Sequence, residues 1–320
     1  MLSGASDARA RTLATAGMVV TVLLWGTQLP LSQHVLQTMD QYYFGVLRYA
    51  IGALLFALTL WWREGAAAFS TEGRGASLLL HGCAGFMVFG LIVFWALYYT
   101  SPGHISVIMA LQPMLTAFWF WVSRGTRPAT HTMASILVAF GGLALVITRG
   151  DFTQALSGGS LIGDAMAFVG ALGWIVYTLG AQRFASWSPL RYTTLACLAG
   201  TAGICILTAI LTPFGIAQMP ESATVLAQLP AIVYIGVFPF YVAIFLFAIA
   251  VARLGAVNTL LIANATPVAV FAVDALRGHM PLPVEWLGAC VVIGALVANN
   301  LLERRQAASA VSRGAGSTVR

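Results

Sequence analysis

Long apolar runs follow one another along this chain, cut by short polar breaks, and most runs carry no charged stripe that would mark a water-facing side. A helix apolar all round and about 20 residues long matches the ~30 Å hydrocarbon layer of a bilayer. Reading the runs against their breakers predicts ten helices, near residues 13–36, 41–62, 76–98, 102–122, 129–148, 160–182, 189–213, 228–250, 255–275 and 282–302. The first contains Trp25, Thr27 and Gln28 and outruns a signal-peptide core, so it is read as a retained span. Residues 1–12 and 303–320 are then cytoplasmic tails. The second is rich in Ala, Ser and Gly without apolar period and is expected to be disordered.

The fourth and ninth runs repeat one another. Pro113 stands twelve residues after Ser101, and Pro267 twelve after Gly255, an offset of 154 that also lays His104 over Asn258 and Gln112 over Thr266. The helices that follow agree at 153 (Gly125 with Gly278, Gly141 with Gly294), the first and sixth at 149 (Trp25 with Trp174), and the second and seventh at 148 (Gly52 with Gly200). Loop insertions produce such drift. The predicted fold class is therefore an all-α integral membrane protein whose ten transmembrane helices form two five-helix repeats, 13–148 and 160–302. Five is odd, so the second repeat enters the membrane inverted. Repeats of this kind often hold a substrate near the midplane between the halves.

Composition agrees: 59% of residues are hydrophobic and 8% charged, against about 25% charged in soluble domains. No G-x-x-x-x-G-K-[ST] phosphate loop is present, which argues against a pump with its own ATPase. The net charge of +6 comes wholly from dispersed arginines, which orient helices and do not suggest nucleic-acid binding. Arg9 and Arg11, Arg63 and Arg74, Arg124 and Arg127, Arg183 and Arg191, Arg253 and four in the tail fall on one side, thirteen in all; Arg149 and Arg277 fall on the other. Positive loops stay cytoplasmic, so both termini are expected there, with the Arg127 loop inside and the Gly158 loop outside a plasma membrane of the bacterial inner-membrane kind. Four cysteines without C-x-x-C spacing and five scattered histidines suggest neither a metal nor a cofactor.

The Trp25-Gly26 pair, "VLRYAIGALL" with Arg48, "WALYYTSPGHISVIMALQP", "LIGDAMAFVGALGWIVYTLGAQRFA" and "AVARLGAVNTLLIANATPV" together resemble the EamA-type branch of the drug/metabolite transporter superfamily. The resemblance covers nearly the whole chain and implies a ten-helix secondary transporter exporting small metabolites, amino acids foremost. One departure is Gly125-Thr126 and Gly278-His279, where that family often carries Gly-Glu.

Candidate chemistry lies on few residues. Seven tryptophans sit near predicted helix ends and fit interfacial belts; Trp25 and Trp174 sit mid-helix and either fill helix contacts or line a cavity. Thr21, Trp25, Gln28 and Ser32 share one face of the first helix, and Gly170, Trp174 and Tyr177, with Thr178 beside them, share one face of the sixth. These faces are expected to meet across the pseudo-twofold axis. Pro113 and Pro267 free the carbonyls of Met109 and Ala263 and are hinges or static kinks. His104 and Gln112, with their mates Asn258 and Thr266 and nearby Asn264, add polar groups to the same helices. Arg48 is the costly intramembrane charge, clamped to carbonyls or Asp40 or else serving a gate or an anionic group. Asp164 suits the first turn of its helix. The small-molecule site predicted is aromatic and amide-lined, suited to neutral, zwitterionic or aromatic solutes in a bilayer-embedded carrier. The rivals are a membrane interaction protein that transports nothing and an integral-membrane enzyme. The enzyme needs convergent polar groups that scattered histidines and edge carboxylates do not supply.

Overall fold

Each predicted span is helical in the computed structural model, which describes the backbone of residues 2–125, 127–151 and 160–317. Thr126 and the Gly158 loop lie outside the described residues. In chain order the helices are α1 (Leu2–Val35), α2 (Gln41–Glu64), α3 (Gly75–Ala96), α4 (Pro102–Ala110 continued by Gln112–Arg124), α5 (Thr130–Thr148), α6 (Ser160–Gly180), α7 (Pro189–Leu211), α8 (Ser222–Leu254), α9 (Ala256–Ala263 continued by Thr266–Leu276) and α10 (Pro283–Ser317). Among the described residues nine are individually long and apolar enough to cross a membrane, and α4, bent by 47° between its pieces, makes ten. Both α1 and α10 continue beyond their apolar spans, into the stretches assigned above to tails.

Local chemistry sets the helix ends. Asp40, Ser101 and Ser188 accept the backbone N–H of Tyr43, His104 and Arg191 at 2.8, 3.2 and 3.0 Å, satisfying donors left orphaned at the starts of α2, α4 and α7. Pro102 and Pro189 follow two of these caps, where their missing N–H costs nothing.

The two repeats exchange packing partners. α1 lies on α8 and α9, and its mate α6 lies on α3 and α4. α2 packs on α7, and α5 packs on α10. The polar faces of α1 and α6 therefore do not meet each other, contrary to expectation: each turns toward helices of the opposite repeat. Without a hydrophobic drive between helices in lipid, contact depends on close approach, and small residues permit it. A Cβ on Gly142 or Gly288 would lie 2.7 or 2.6 Å from the other's carbonyl oxygen, so α5 and α10 cross there backbone to backbone.

Near mid-membrane α3 and α8 each widen into a π-helical turn, Cys83–Val88 and Gly236–Val242. Phe86 and Phe240 in these turns are 154 residues apart, the offset of the two prolines, and their rings meet edge to face at 6.0 Å. Each ring fills a slot in the opposite repeat. A Cβ on Gly52 would stand 2.1 Å from Phe240, and one on Gly200 would stand 2.5 Å from Phe86. A pair matched by sequence offset is thus matched again in space.

Candidate functional site

Arg48 is buried to 1% exposure where α2, α3 and α8 converge. Its guanidinium carbon lies 4.6, 4.5 and 5.3 Å from the ring centroids of Tyr49, Phe94 and Phe240. Among the described residues its Nε and Nη1 have no hydrogen-bond partner. Asp40, one partner expected from the sequence, instead binds the backbone of Tyr43 and of Gln218. Three aromatic faces contribute about 2 kcal/mol or more each when desolvated, whereas removing a guanidinium from water costs several kcal/mol even after relaxation and far more in the ideal limit. The rings offset part of that cost, and an anion would be welcome. The repeat offset of 148 places Ala196 opposite Arg48, so the charge belongs to one repeat only.

Trp25 and Trp174 are both half-buried, and the fold does not bring them together. The Trp25 indole N–H donates to the Pro239 carbonyl in the π-turn of α8 at 3.1 Å, and its ring leans on Phe247 at 5.7 Å. Trp174 packs on Phe86, Phe89 and Tyr177 at 6.1, 5.1 and 5.0 Å. Each tryptophan therefore braces the π-turn of the opposite repeat. Thr21 is fully buried and donates to the carbonyls of Gly17 and Ala243, and Gln28 is half-buried. The Tyr177 hydroxyl pairs with Thr193 at 3.0 Å, and its ring stacks on Tyr192, so its polar tip joins α6 to α7. Thr178 is exposed and donates to the Trp174 carbonyl at 2.9 Å.

The helices containing the matched prolines break where expected, but their polar groups are used locally. Leu111 ends the first piece of α4 by turning its N–H to Ile108, and Gln112 then reaches Met109 Sδ at 3.6 Å. Thr266 donates to the Ala263 carbonyl at 2.7 Å, so that freed acceptor is already occupied. Asn258 donates to Leu254 at 2.6 Å. Asn264 is 5% exposed, and its Nδ2 has no hydrogen-bond partner among the described residues. Because the repeats are inverted, His104 and Asn258 stand at opposite ends of the molecule.

The largest departure from the sequence reading is at the end carrying Arg149 and Arg277. His104 and Glu285, in the first turns of α4 and α10, converge there with Asp164, one turn into α6. His104 Nδ1 lies 3.2 Å from Asp164 Oδ1 and its Nε2 3.3 Å from Glu285 Oε1; Thr100 donates to Asp164 at 2.6 Å. Glu285 also accepts from Arg149 Nε at 3.1 Å and the Leu282 N–H at 2.6 Å. Arg149 takes φ 52°, a left-handed conformation costly for a side-chain-bearing residue, as it ends α5. Asp164 is thus a partner in a buried network, more than a helix-dipole carboxylate. The sequence signal for this is that three helices entering from one side each carry a titratable residue within five residues of their start.

An open cavity of about 760 Å³ lies over this cluster, lined by Gln33, Tyr98, Ser101, Arg149, Phe271 and Glu285 among others. That size suits a small solute. Tyr98, in the turn after α3, has its hydroxyl pushed up to about 12, by burial first and then by Asp40, and it donates to the Met39 carbonyl at 3.4 Å. At the arginine-rich end the loops after α2 and α6 are tied together. Glu72 accepts from the Trp187 indole at 2.9 Å and pairs with Arg74 and with Arg191 at 2.8 Å, while both guanidiniums lie over the Trp187 ring at 4.8 and 4.2 Å. The Trp187 hydrogen bond, then Arg74 and Arg191, hold the Glu72 carboxyl down at about 2. Trp187 is 6% exposed and belongs to this latch, whereas Trp61, Trp62 and Trp119 are exposed as a belt requires.

Comparison with known proteins matches residues 12–148, and separately 161–301, to the EamA-like transporter family. The uncharacterized transporter YrdR of Bacillus subtilis is 32% identical over 90% of this chain and 91% of its own length. A probable terminal-alkyne amino-acid exporter of Streptantibioticus cattleyicolor is 28% identical over 74% and 77%. The uncharacterized inner membrane transporter YicL of Salmonella typhimurium is 23% identical over 92% and 97%. A protein crystal structure shares the fold at a TM-score of 0.64 and 21% identity, covering 92% of this chain and 99% of that one.

Proposed function

The chain belongs to the EamA-like transporter family, and from that premise we propose that it is a secondary carrier exporting small carboxylate-bearing metabolites, amino acids above all, by alternating access. The family and the names of its relatives favour transport over catalysis and imply a small-molecule substrate in a multi-pass bilayer protein. The observation carrying the substrate class is Arg48, buried between the repeats with Nε and Nη1 unpaired inside an aromatic enclosure. A guanidinium fork matches a carboxylate bidentately, and the surrounding rings suit the apolar side chain of a zwitterion. The name of the probable terminal-alkyne amino-acid exporter of Streptantibioticus cattleyicolor supports the same class.

In this reading the arginine-rich end and both termini face the cytoplasm, and helix groups drawn from both repeats, 13–148 and 160–302, rock about the paired π-turns and Pro113 and Pro267. The conformation described has the outer cavity open and the Glu72–Trp187 latch closed, which is an outward-facing arrangement. Binding tests the substrate class. Purified wild-type protein should gain thermal stability with free amino acids and not with the corresponding decarboxylated amines. Arg48→Gln should lose that gain, and Arg48→Lys, which keeps charge without the fork, should retain only part. Equal gains from acids and amines would overturn the reading.

A further inference from the structure

We propose that His104, bridged between Asp164 and Glu285, is a proton site that couples this carrier's cycle to the pH of the compartment facing the outer cavity. The proposal deepens the transporter reading and rests on it. A neutral imidazole has one N–H donor, whereas the ring here presents both nitrogens to carboxylate oxygens, Nδ1 at 3.2 Å from Asp164 and Nε2 at 3.3 Å from Glu285. Only the doubly protonated ring donates in both directions. Charge balance agrees: of the two carboxylates on the ring only Glu285 meets a guanidinium, that of Arg149, and the imidazolium supplies the second positive charge. Further out, Asp274, Arg277 and His279 line the same cavity, and Asp151 follows Arg149 in its turn. His104 and Asp164 are 2% exposed at the side chain, while Glu285 and Arg149 reach the cavity, so protons enter and leave by way of Glu285.

Helix packing turns this site into a coupling device. α4 and α6 pack together, so His104 and Asp164 move as one, whereas Glu285 comes from α10, whose principal partner is α5. If α10 separates from α4, Nε2–H loses its acceptor and its proton passes to cavity water. Conversely, protonation pulls α4 and α10 together across the boundary between repeats. A contact that needs the proton in one conformation and loses it in another links the two equilibria reciprocally.

Two measurements test this, and the first needs no solute. In 15N-histidine-labelled protein, with the His104 signal assigned by its loss in His104→Gln, the ring should be doubly protonated at neutral pH and lose one proton on alkaline titration. Asp164→Asn and Glu285→Gln should each leave it singly protonated at neutral pH. A His104 ring that stays neutral throughout, or that ignores both substitutions, overturns the proposal.

The second uses proteoliposomes loaded with a radiolabelled mixture of amino acids. Acid on the outer-cavity side should change wild-type efflux severalfold, and His104→Gln should retain efflux without that pH response. An unchanged response in His104→Gln overturns the coupling. If wild-type protein moves none of the mixture at any pH, the substrate class fails while the ring titration still decides the proton site.

Discussion

Gly52→Ala is the sharpest perturbation of the repeat interface. The new methyl would sit 2.1 and 2.3 Å from Phe240 Cδ1 and Cε1, where carbon atoms settle near 3.5–4.0 Å, so the ring must retreat by roughly 1.5 Å. Its room is limited: Phe240 is held edge to face by Tyr49, Phe56 and Phe86 at 5.1, 5.9 and 6.0 Å and borders the Arg48 guanidinium. Overpacking of this kind costs about 1–3 kcal/mol. Because the clashing atoms belong to a ring edge, trimming the ring should relieve the strain. Gly52→Ala/Phe240→Leu should recover at least about 1 kcal/mol relative to the sum of the single changes. Gly200→Ala should behave differently. Its methyl meets Phe86 Cβ at 2.5 Å and also the Gly82 carbonyl oxygen at 2.6 Å, so Phe86→Leu cannot rescue it. Heating purified protein and measuring the folded fraction by size exclusion reads these differences, at roughly 2–4 °C per kcal/mol. A Gly52→Ala protein as stable as wild type, or a double variant that loses as much as the two single changes summed, would refute the packing argument.

Trp25→Phe strands the Pro239 carbonyl and should cost about 1 kcal/mol of stability, more than Trp174→Phe, which loses only ring contacts; thermal unfolding compares them, and equal losses would count against the bracing role. Glu72 is held below its ordinary range, so its contribution to the latch is full above about pH 4.5 and is lost only as pH falls through about 2; trypsin cleavage at Arg74 and Arg183 in inside-out vesicles should therefore be slow and free of latch-dependent change between about pH 5 and 8. Glu72→Gln should speed that cleavage throughout, and equal rates would remove the latch. Reporter fusions at Gly158 should be active only outside and those at Arg127 only inside, and the reverse pattern would overturn the orientation.

The fold was legible because its cause is one-dimensional: apolar run length fixes the spans, and a repeat survives as recurring glycines, tryptophans and prolines. Even the breaks in α4 and α9 could be placed from Pro113 and Pro267. The candidate site was less legible because it depends on which repeat each helix faces. Trp25 and Trp174 were identified as mates, yet the exchange of partners sends them to different π-turns. His104 and Asp164 stand out separately in the sequence and Glu285 does not, since only three-dimensional packing joins the starts of α4, α6 and α10. Arg48 was recognised as the costly charge from its depth. That its neighbours would be rings and not carboxylates could not be read from helical spacing.

Counterflow in proteoliposomes, comparing radiolabelled amino acids with the amines that lack only the carboxylate, tests the central claim most directly. Wild-type protein should exchange the acids and discriminate against the amines. Arg48→Gln should lower exchange of the acids by about thirtyfold or more, the consequence of losing a buried charge-assisted pair worth at least about 2 kcal/mol, while leaving the protein folded and inserted. Acid exchange undiminished in correctly folded Arg48→Gln protein would contradict the account.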